Sequence, residues 1–268
     1  MRVTGINTDR RWSPSMPAVY EQYLVPVVFQ PFAEDLATRA AALRPRRILE
    51  LAAGTGVLTA GLLASALSAE VTATDLNESM VTFGQTRAPG AVWLQADAQR
   101  LPFPDGGFDL VVCQFGVMFF PDRVEAFTEV RRVLAPGGRF LFNTWGPFET
   151  HAFEVALQAG LERVFPVDPP RFFQTVPHGY ADPAVVAADL AAAGFDVEDE
   201  QELTLQGRAA STADLATGYL TGTPVRAAVE ERGGGPAVRA TVIEEMTTRL
   251  GPGPVTAPMT AYVFLAAG

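Results

Sequence analysis

Short apolar segments alternate with helical segments between Arg47 and Thr144, and this alternation limits the possible folds more than any other feature. The apolar segments are Arg47–Leu51, Val71–Thr74, Val92–Gln95, Leu110–Phe115 and Arg139–Thr144. The helical segments that separate them are Val57–Leu67, Asn77–Thr86 and Arg123–Leu134. Strands alternating with helices are typical of a parallel sheet that is covered on both faces. We therefore predict a doubly wound α/β fold.

The regions on either side of this core are predicted to be elaborations of the same single domain, 1–268. Residues 1–45 form an N-terminal helical lid, because Ala18–Leu43 has helical character that Pro26 and Pro31 interrupt. Residues 46–145 form the core, and residues 146–268 form a C-terminal elaboration. That elaboration has predicted helices at Phe148–Val164, Ala184–Ala193, Ser211–Gly222 and Val238–Leu250, a loop at Pro166–Tyr180, and strands within Phe195–Leu205 and at Ala261–Ala266. The predicted sheet is mostly parallel, seven-stranded and Rossmann-like.

Charge and composition exclude several classes of protein. The formal net charge of -10 is unfavourable for binding nucleic acid, where affinity comes largely from clustered Lys and Arg. Met1–Arg11 has no apolar signal-peptide core, and no segment has the apolar length of a bilayer span. Cys113 is the only cysteine, so neither a disulfide framework nor a cysteine-based metal site is available. We predict a cytoplasmic enzyme with no metal, no nucleic-acid partner and no membrane insertion; a homodimer is left open.

A glycine turn follows the first predicted strand, in the segment Ile48–Gly56. Gly54 and Gly56 allow a ligand to approach the backbone closely, and the helix that follows offers free N–H groups. A tight turn requires glycine for structural reasons as well, so the turn alone is weak evidence. Asp75 ends the second strand, where an acid is placed to accept hydrogen bonds from ribose hydroxyls. The turn and the acid together predict an adenosine-type ligand.

Two adenosine-type ligands compete for this site, a dinucleotide and S-adenosylmethionine. A dinucleotide site requires a third glycine, and Thr59 stands at that position. Glu50, just before the turn, would repel a pyrophosphate but suits a ligand that carries an ammonium and a sulfonium group. An uncompensated buried carboxylate is costly, so a cationic ligand would explain Glu50. The alternative is a structural glutamate that meets backbone amides or an arginine.

The core resembles the class I S-adenosylmethionine-dependent methyltransferases, in particular the group that includes the ubiquinone- and menaquinone-biosynthesis enzymes. The resemblance covers roughly Arg46 to Trp145 and depends on four ordered motifs. These are Leu49–Gly56, with Ala52 where many members have glycine; Gln95–Ala98; Leu101–Pro104 with Phe108-Asp109 and Val111–Gly116; and Arg131–Gly138. Four motifs in the family's order and spacing make the resemblance specific.

The resemblance implies roles for individual residues around S-adenosylmethionine, with S-adenosylhomocysteine as product. Those expected to contact the cofactor are Glu50, Ala52, Gly54 and Gly56 at the methionine part, Asp75 at the ribose, Leu76, Met80, Asp97 and Ala98 at the adenine, and Gln114 and Phe115 beside the sulfonium. Tyr20 and Tyr23 would close over the cofactor, as the helical lid does in similar enzymes.

Candidate acceptor residues come from the C-terminal elaboration. His178 lies in the aromatic loop after the fifth strand and is our candidate catalytic base or acceptor-orienting group; the alternative is a structural histidine. His151 is a second candidate. Trp145, Phe172 and Tyr180 are predicted to line an apolar acceptor pocket, although they fit a hydrophobic core equally well.

The predicted reaction is transfer of the methyl group of S-adenosylmethionine to an oxygen, nitrogen or carbon atom of a small, fairly apolar metabolite. Such a displacement mainly requires alignment, so the absence of an obvious base does not exclude it. The alternative is a protein that binds S-adenosylmethionine without methyl transfer, as a cyclase, an eliminase or a non-catalytic subunit. A nicotinamide-dependent oxidoreductase is disfavoured by Glu50 and Thr59.

Overall fold

A central seven-stranded sheet organises the computed structural model, which describes residues 16–66 and 68–268. The strands are β1 (Arg47–Glu50), β2 (Glu70–Asp75), β3 (Val92–Gln95), β4 (Phe108–Gln114), β5 (Leu134–Trp145), β6 (Asp196–Ala209) and β7 (Val255–Ala267). Their order is β3-β2-β1-β4-β5-β7-β6, and only the pairings of β7 are antiparallel. This sheet confirms the predicted fold class. The segment Met1–Arg11, which the sequence analysis used to exclude a signal peptide, lies outside the described residues.

Helices cover both faces of the sheet and its carboxyl-terminal edge. They are α1 (Met16–Tyr23), α2 (Gln30–Ala42), α3 (Val57–Ser65), α4 (Glu78–Arg87), α5 (Arg123–Val133), α6 (Ala152–Val164), α7 (Phe172–Thr175), α8 (Pro183–Ala192), α9 (Thr212–Gly222), α10 (Val225–Glu231) and α11 (Pro236–Leu250). Among the described residues, none of the helices combines the length and the apolar character that crossing a membrane requires.

The N-terminal helices follow the predicted interruption by proline. A π-helical turn at Val25–Phe29 joins α1 to α2. Pro26 and Pro31 each lie in the first two positions of a helical segment, where a missing N–H is tolerated. Helix α1 packs against α9, so the N-terminal segment is attached to the C-terminal elaboration.

The structure differs from the predicted elements in the start of β5, in two short helices and in the lengths of the last two strands. Strand β5 begins at Leu134 and continues through the Pro136–Gly138 turn, because Leu134 already pairs with Phe108 and the register shifts before Arg139 pairs with Leu110. Helices α7 and α10 were not predicted. Strands β6 and β7 are longer than predicted because they pair with each other over almost their whole length.

Buried side chains from all parts of the described chain meet in one hydrophobic cluster. It joins Leu24 and Phe32 near the N-terminus to Phe142 in β5 and to Tyr219 and Met246 in the C-terminal helices. The parallel strands β1, β2, β4 and β5 end at the same edge of the sheet, where ligands bind in open α/β sheets. The C-terminal elaboration packs over that edge, because α9 contacts α1 and α11 contacts α6.

Candidate functional site

The turn after β1 contains residues with a left-handed backbone. Ala52, Gly54 and Gly56 have φ angles of 51°, 56° and 85°. A Cβ atom added to Gly54 would meet no atom within 4 Å, whereas one added to Gly56 would lie 3.0 Å from the Trp93 ring. Gly56 is also the N-cap residue of α3. Gly54 therefore leaves space for a ligand, while Gly56 is required for packing.

Ala52 keeps a conformation that favours glycine. A left-handed backbone costs a residue with a Cβ atom about 1–2 kcal/mol. Gly116 accommodates the Ala52 methyl, since a Cβ atom added to Gly116 would lie 2.5 Å from the Ala52 Cβ. The turn is thus preserved although the family's more common glycine is absent.

Asp75 connects the end of β2 to the glycine turn. Its Oδ2 accepts a hydrogen bond from the Gly54 N–H at 2.9 Å, and its Oδ1 accepts one from the Asn77 N–H at 2.8 Å. The Asn77 side chain caps α4 by accepting from the N–H groups of Ser79 and Met80. The carboxylate of Asp75 is therefore fixed beside the turn.

Glu50 is buried with 1% of its surface exposed, and it does not line the cavity described below. The Thr59 hydroxyl donates a hydrogen bond to its Oε2 at 2.6 Å. Burial raises the pKa of Glu50 from 4.5 to about 8, the Thr59 hydrogen bond opposes this shift, and the Asp75 charge adds to it. Thr59, which stands where a dinucleotide site has its third glycine, therefore has a structural role in pairing with Glu50.

This pKa predicts that the ligand-free protein loses stability as the pH rises. Between pH 4.5, the ordinary pKa, and about 8, the folded state holds a proton on Glu50 that the unfolded state releases. The free energy of unfolding should therefore fall over this interval, by an amount on the order of 3–5 kcal/mol when the interval is complete. Urea denaturation of the wild type and of Glu50→Gln at pH 5.5 and 8.5 measures this. We expect Glu50→Gln to remove most of the difference; an equal pH dependence in both proteins would contradict the assignment.

A cavity of about 270 Å³ opens at the carboxyl-terminal edge of the sheet. The predicted cofactor residues on its wall are Tyr20, Ala52, Gly54, Asp75, Leu76, Met80, Asp97, Ala98, Gln114 and Phe115. The predicted acceptor residues on its wall are Trp145, Phe172 and His178. Glu50, Gly56, Tyr23, His151 and Tyr180 are not on it. One cavity thus brings together most of the predicted cofactor residues and most of the predicted acceptor residues.

The middle of the cavity wall is formed where β4 and β5 end. The Phe115 ring stacks on the Trp145 ring with centroids 3.5 Å apart, and the Phe115 N–H donates to Asn143 Oδ1 at 2.9 Å. Gln114 Nε2 donates to the Phe29 carbonyl at 2.8 Å, while Gln114 Oε1 is buried without a hydrogen-bond partner. The unpartnered Gln114 oxygen leaves an acceptor available to a ligand.

Two histidines lie side by side, His178 on the cavity wall and His151 outside it, with ring centroids 4.4 Å apart. His178 Nδ1 lies 2.8 Å from the Gly146 carbonyl, and His151 Nε2 lies 2.9 Å from the Thr260 carbonyl. Both nitrogens must donate, because a carbonyl oxygen can only accept. Burial lowers the pKa of His178 to about 4 and that of His151 to about 3, so both rings are neutral near pH 7.

Tyr180 is buried but does not line the cavity. Its hydroxyl donates to Asp189 Oδ2 at 2.8 Å, and the Arg123 guanidinium lies 4.1 Å from its ring centroid. Tyr180 was expected to line the acceptor pocket, but it is not on the wall of this cavity, and its hydroxyl is already bound to Asp189.

Sequence reasoning missed Glu154 and Tyr219, which both line the cavity. The Tyr219 hydroxyl donates to Glu154 Oε1 at 2.6 Å, and Glu154 is nearly fully buried. A signal was present: Glu154 lies on the buried face of α6, next to Phe153 and three residues after His151. A carboxylate on an apolar helical face is uncommon unless it has a partner.

Known proteins resemble the chain in the region that forms this site. A family model described as a methyltransferase domain matches residues 49–142. A demethylmenaquinone methyltransferase of Thermus thermophilus is 36% identical over 181 residues, which are 63% of this chain and 81% of that protein. The chain belongs to the class I S-adenosylmethionine-dependent methyltransferases.

One further relative of the methyltransferase and one solved structure of similar fold extend the comparison. A malonyl-[acyl-carrier protein] O-methyltransferase of Halorhodospira halophila is 35% identical over 212 residues, which are 69% of this chain and 71% of that protein. A phosphoethanolamine N-methyltransferase of Haemonchus contortus, solved with S-adenosylhomocysteine, shares the fold with a TM-score of 0.60 at 15% identity, over 96% of this chain and 58% of that one. The predicted family, enzyme class and cofactor are confirmed.

The residues of the methyltransferase fit S-adenosylmethionine. Asp75 and Asp97 place carboxylate oxygens on the cavity wall, where they can accept from ribose hydroxyls and an adenine amine. Gly54 leaves open space at the turn, and the unpartnered Gln114 Oε1 is available nearby. This wall offers acceptors and open backbone, which suits a ligand with hydroxyl, amine and cationic groups.

Proposed function

We propose that the enzyme methylates an oxygen, nitrogen or carbon atom of a small, mostly apolar acceptor bound at the aromatic end of the cavity. The observation that carries this proposal is that the wall of this cavity has both acidic and aromatic parts. The wall carries the carboxylates of Asp75 and Asp97, and it also carries an aromatic cluster in which the ring of Phe172 contacts those of Phe119 and Phe173. Aromatic walls favour an acceptor with apolar or ring surface.

S-adenosylmethionine supplies a methyl group that is already activated for displacement. The protein therefore has to hold the acceptor in line and exclude water, and alignment can contribute roughly 7–11 kcal/mol. In our proposal Asp75 accepts from the ribose, Leu76 and Met80 pack on the adenine, and Asp97 accepts from the adenine amine. Tyr20 of α1 closes the cavity, supported by Phe29, whose ring centroid lies 4.8 Å from that of Tyr20.

His178 is the polar group that we place against the acceptor. It lines the cavity, and because its Nδ1 donates to Gly146, its Nε2 carries a lone pair. This nitrogen orients the acceptor or takes its proton. His151 lies behind His178 and acts on the acceptor only through its neighbours.

The proposal extends to the partner and the location of the enzyme. The net charge of -10 favours a small acceptor over nucleic acid. The single cysteine suits a cytoplasmic location, where disulfides are rare. A homodimer stays a prediction that sedimentation can test.

Product analysis with a panel of acceptors tests the proposed function. The panel contains a hydroquinol, a phenol, a long-chain carboxylate and an aryl amine, each incubated with S-adenosylmethionine. We expect at least one to yield S-adenosylhomocysteine and an acceptor that is one methyl group heavier, in equal amounts. Conversion of an acceptor without S-adenosylhomocysteine would instead support the cyclase or eliminase alternative and refute methyl transfer.

A further inference from the structure

We propose that His151, Glu154 and His178 bind a divalent transition-metal ion at the acceptor end of the cavity. This inference deepens the proposed function and changes one part of it: His178 Nε2 would bind the ion instead of the acceptor itself, and the ion would contact the acceptor. The absence of a metal was predicted from the single cysteine, which leaves out histidine and glutamate as ligands. The three residues come from the start of α6, from α6 itself and from the loop after α7, and the fold brings them together.

The distances are close to those of a metal site. One nitrogen of each histidine and one carboxylate oxygen of Glu154 lie within 4.8 Å of one another. His151 Nδ1 lies 4.0 Å from Glu154 Oε2. Metal bonds to these atoms are about 2.0–2.2 Å long, so two ligand atoms on one ion are roughly 3–4 Å apart. Small side-chain rotations therefore suffice to bring all three onto one ion.

Each candidate ligand is oriented by a second hydrogen bond. His151 Nε2 donates to Thr260, His178 Nδ1 donates to Gly146, and the Tyr219 hydroxyl donates to Glu154 Oε1. Metal-binding histidines typically donate their other ring N–H to a carbonyl or carboxylate, which fixes the tautomer. These bonds leave lone pairs on His151 Nδ1, His178 Nε2 and Glu154 Oε2.

Two of the atoms that carry these lone pairs lack a partner in the structure. His151 Nδ1 and Glu154 Oε2 are both buried, and neither has a hydrogen-bond partner. Two acceptor atoms that face each other without a donor are unfavourable in a buried site. A cation between them would satisfy both atoms and neutralise the buried carboxylate.

The ligand set indicates the kind of ion. Two imidazoles and one carboxylate are typical of catalytic Zn²⁺ and of non-haem Fe²⁺, sites that keep open coordination positions. Glu154 and His178 line the cavity, so these positions would face the acceptor. A hydroxyl that coordinates the ion loses its proton to water at a lower pH than a free hydroxyl. The inferred acceptor class is therefore one that offers an oxygen ligand.

Metal binding can be measured without turnover. The full-length protein is stripped with a chelator and titrated with Zn²⁺ by calorimetry and with Co²⁺ by visible absorption. The wild type should bind both at micromolar concentration or below and give the absorption bands of coordinated Co²⁺. Glu154→Gln and His178→Gln should each weaken binding at least about 100-fold.

Glu50→Gln is the matched control, because it also replaces a buried carboxyl with an amide but lies outside the cluster. It should bind metal like the wild type, and circular dichroism checks that every variant is folded. Wild-type protein that binds neither ion, or Glu154→Gln that binds as tightly as the wild type, would overturn the inference. Metal binding without methylation of any acceptor would refute the proposed function and leave the metal site standing. Methylation by a wild-type protein that binds neither ion would overturn the metal site and leave the proposed function standing.

Discussion

Replacing Asp75 by asparagine should weaken the binding of S-adenosylmethionine by about 100-fold or more. In our account the carboxylate accepts hydrogen bonds from ribose hydroxyls, and hydrogen bonds to a charged group contribute about 1.5–3 kcal/mol each. An amide has one oxygen and no charge, so it cannot replace both bonds. Isothermal titration of Asp75→Asn with S-adenosylmethionine and S-adenosylhomocysteine measures the loss.

Asp109→Asn is the control that separates a loss of cofactor affinity from a loss of stability. Asp75 accepts from two backbone N–H groups, and so does Asp109, whose Oδ2 lies 2.9 Å from the nitrogens of both Arg46 and Arg47. Asp109 lies near the start of β4, at the opposite edge of the sheet from the cavity. Both variants should lose similar stability, but Asp109→Asn should retain its cofactor affinity. Equal affinities in the two variants would contradict the role of Asp75.

Gly54→Ala should weaken cofactor binding by about 10- to 100-fold. The added methyl group would occupy the open space at the turn, and overpacking of this kind typically costs about 1–3 kcal/mol. The φ of 56° adds strain for any residue with a Cβ atom. The variant should therefore be less stable by about 1 kcal/mol as well, as thermal denaturation with and without ligand can measure.

Gly137→Ala is the matched control for strain. Gly137 also has a left-handed backbone, with a φ of 78°, and a Cβ atom there would meet no atom within 4 Å. It lies in the irregular part of β5, outside the cavity. Gly137→Ala should lose stability like Gly54→Ala and bind the cofactor like the wild type. A Gly54→Ala protein with normal affinity would show that the turn does not contact the cofactor.

The features that the sequence predicted correctly are those that neighbouring residues determine. Strand β3 was placed at Val92–Gln95 from its apolar run, and the helix predicted to start at Asn77 corresponds to α4, which Asn77 caps. Helix α10 was missed because a short helix between Pro224 and Gly233 has too little periodic sequence to be recognised. The continuation of β5 through a turn depends on pairing with β4, which local sequence does not encode.

The candidate site likewise contains residues that local sequence predicts and residues that only the fold brings together. Asp75 and Gly54 were identified because each lies next to a strand end in a recognisable motif. Glu50 accepts a hydrogen bond from Thr59, a partner that was not predicted because Thr59 lies in the following helix. The contact of Glu50 with a cationic ligand stays a prediction. The cluster of His151, Glu154 and His178 forms only when distant segments fold together. Its supporting carbonyl, on Thr260 in β7, is far from all three in sequence.

Isothermal titration of the purified wild-type protein tests the central claim most directly. The protein is titrated with S-adenosylmethionine, S-adenosylhomocysteine and NADH under the same conditions. We predict micromolar binding of both sulfur ligands and no binding of NADH, because the carboxylates and the unpartnered Gln114 oxygen of the wall suit a cationic ligand and would repel a pyrophosphate. Binding of NADH without binding of either sulfur ligand would contradict it.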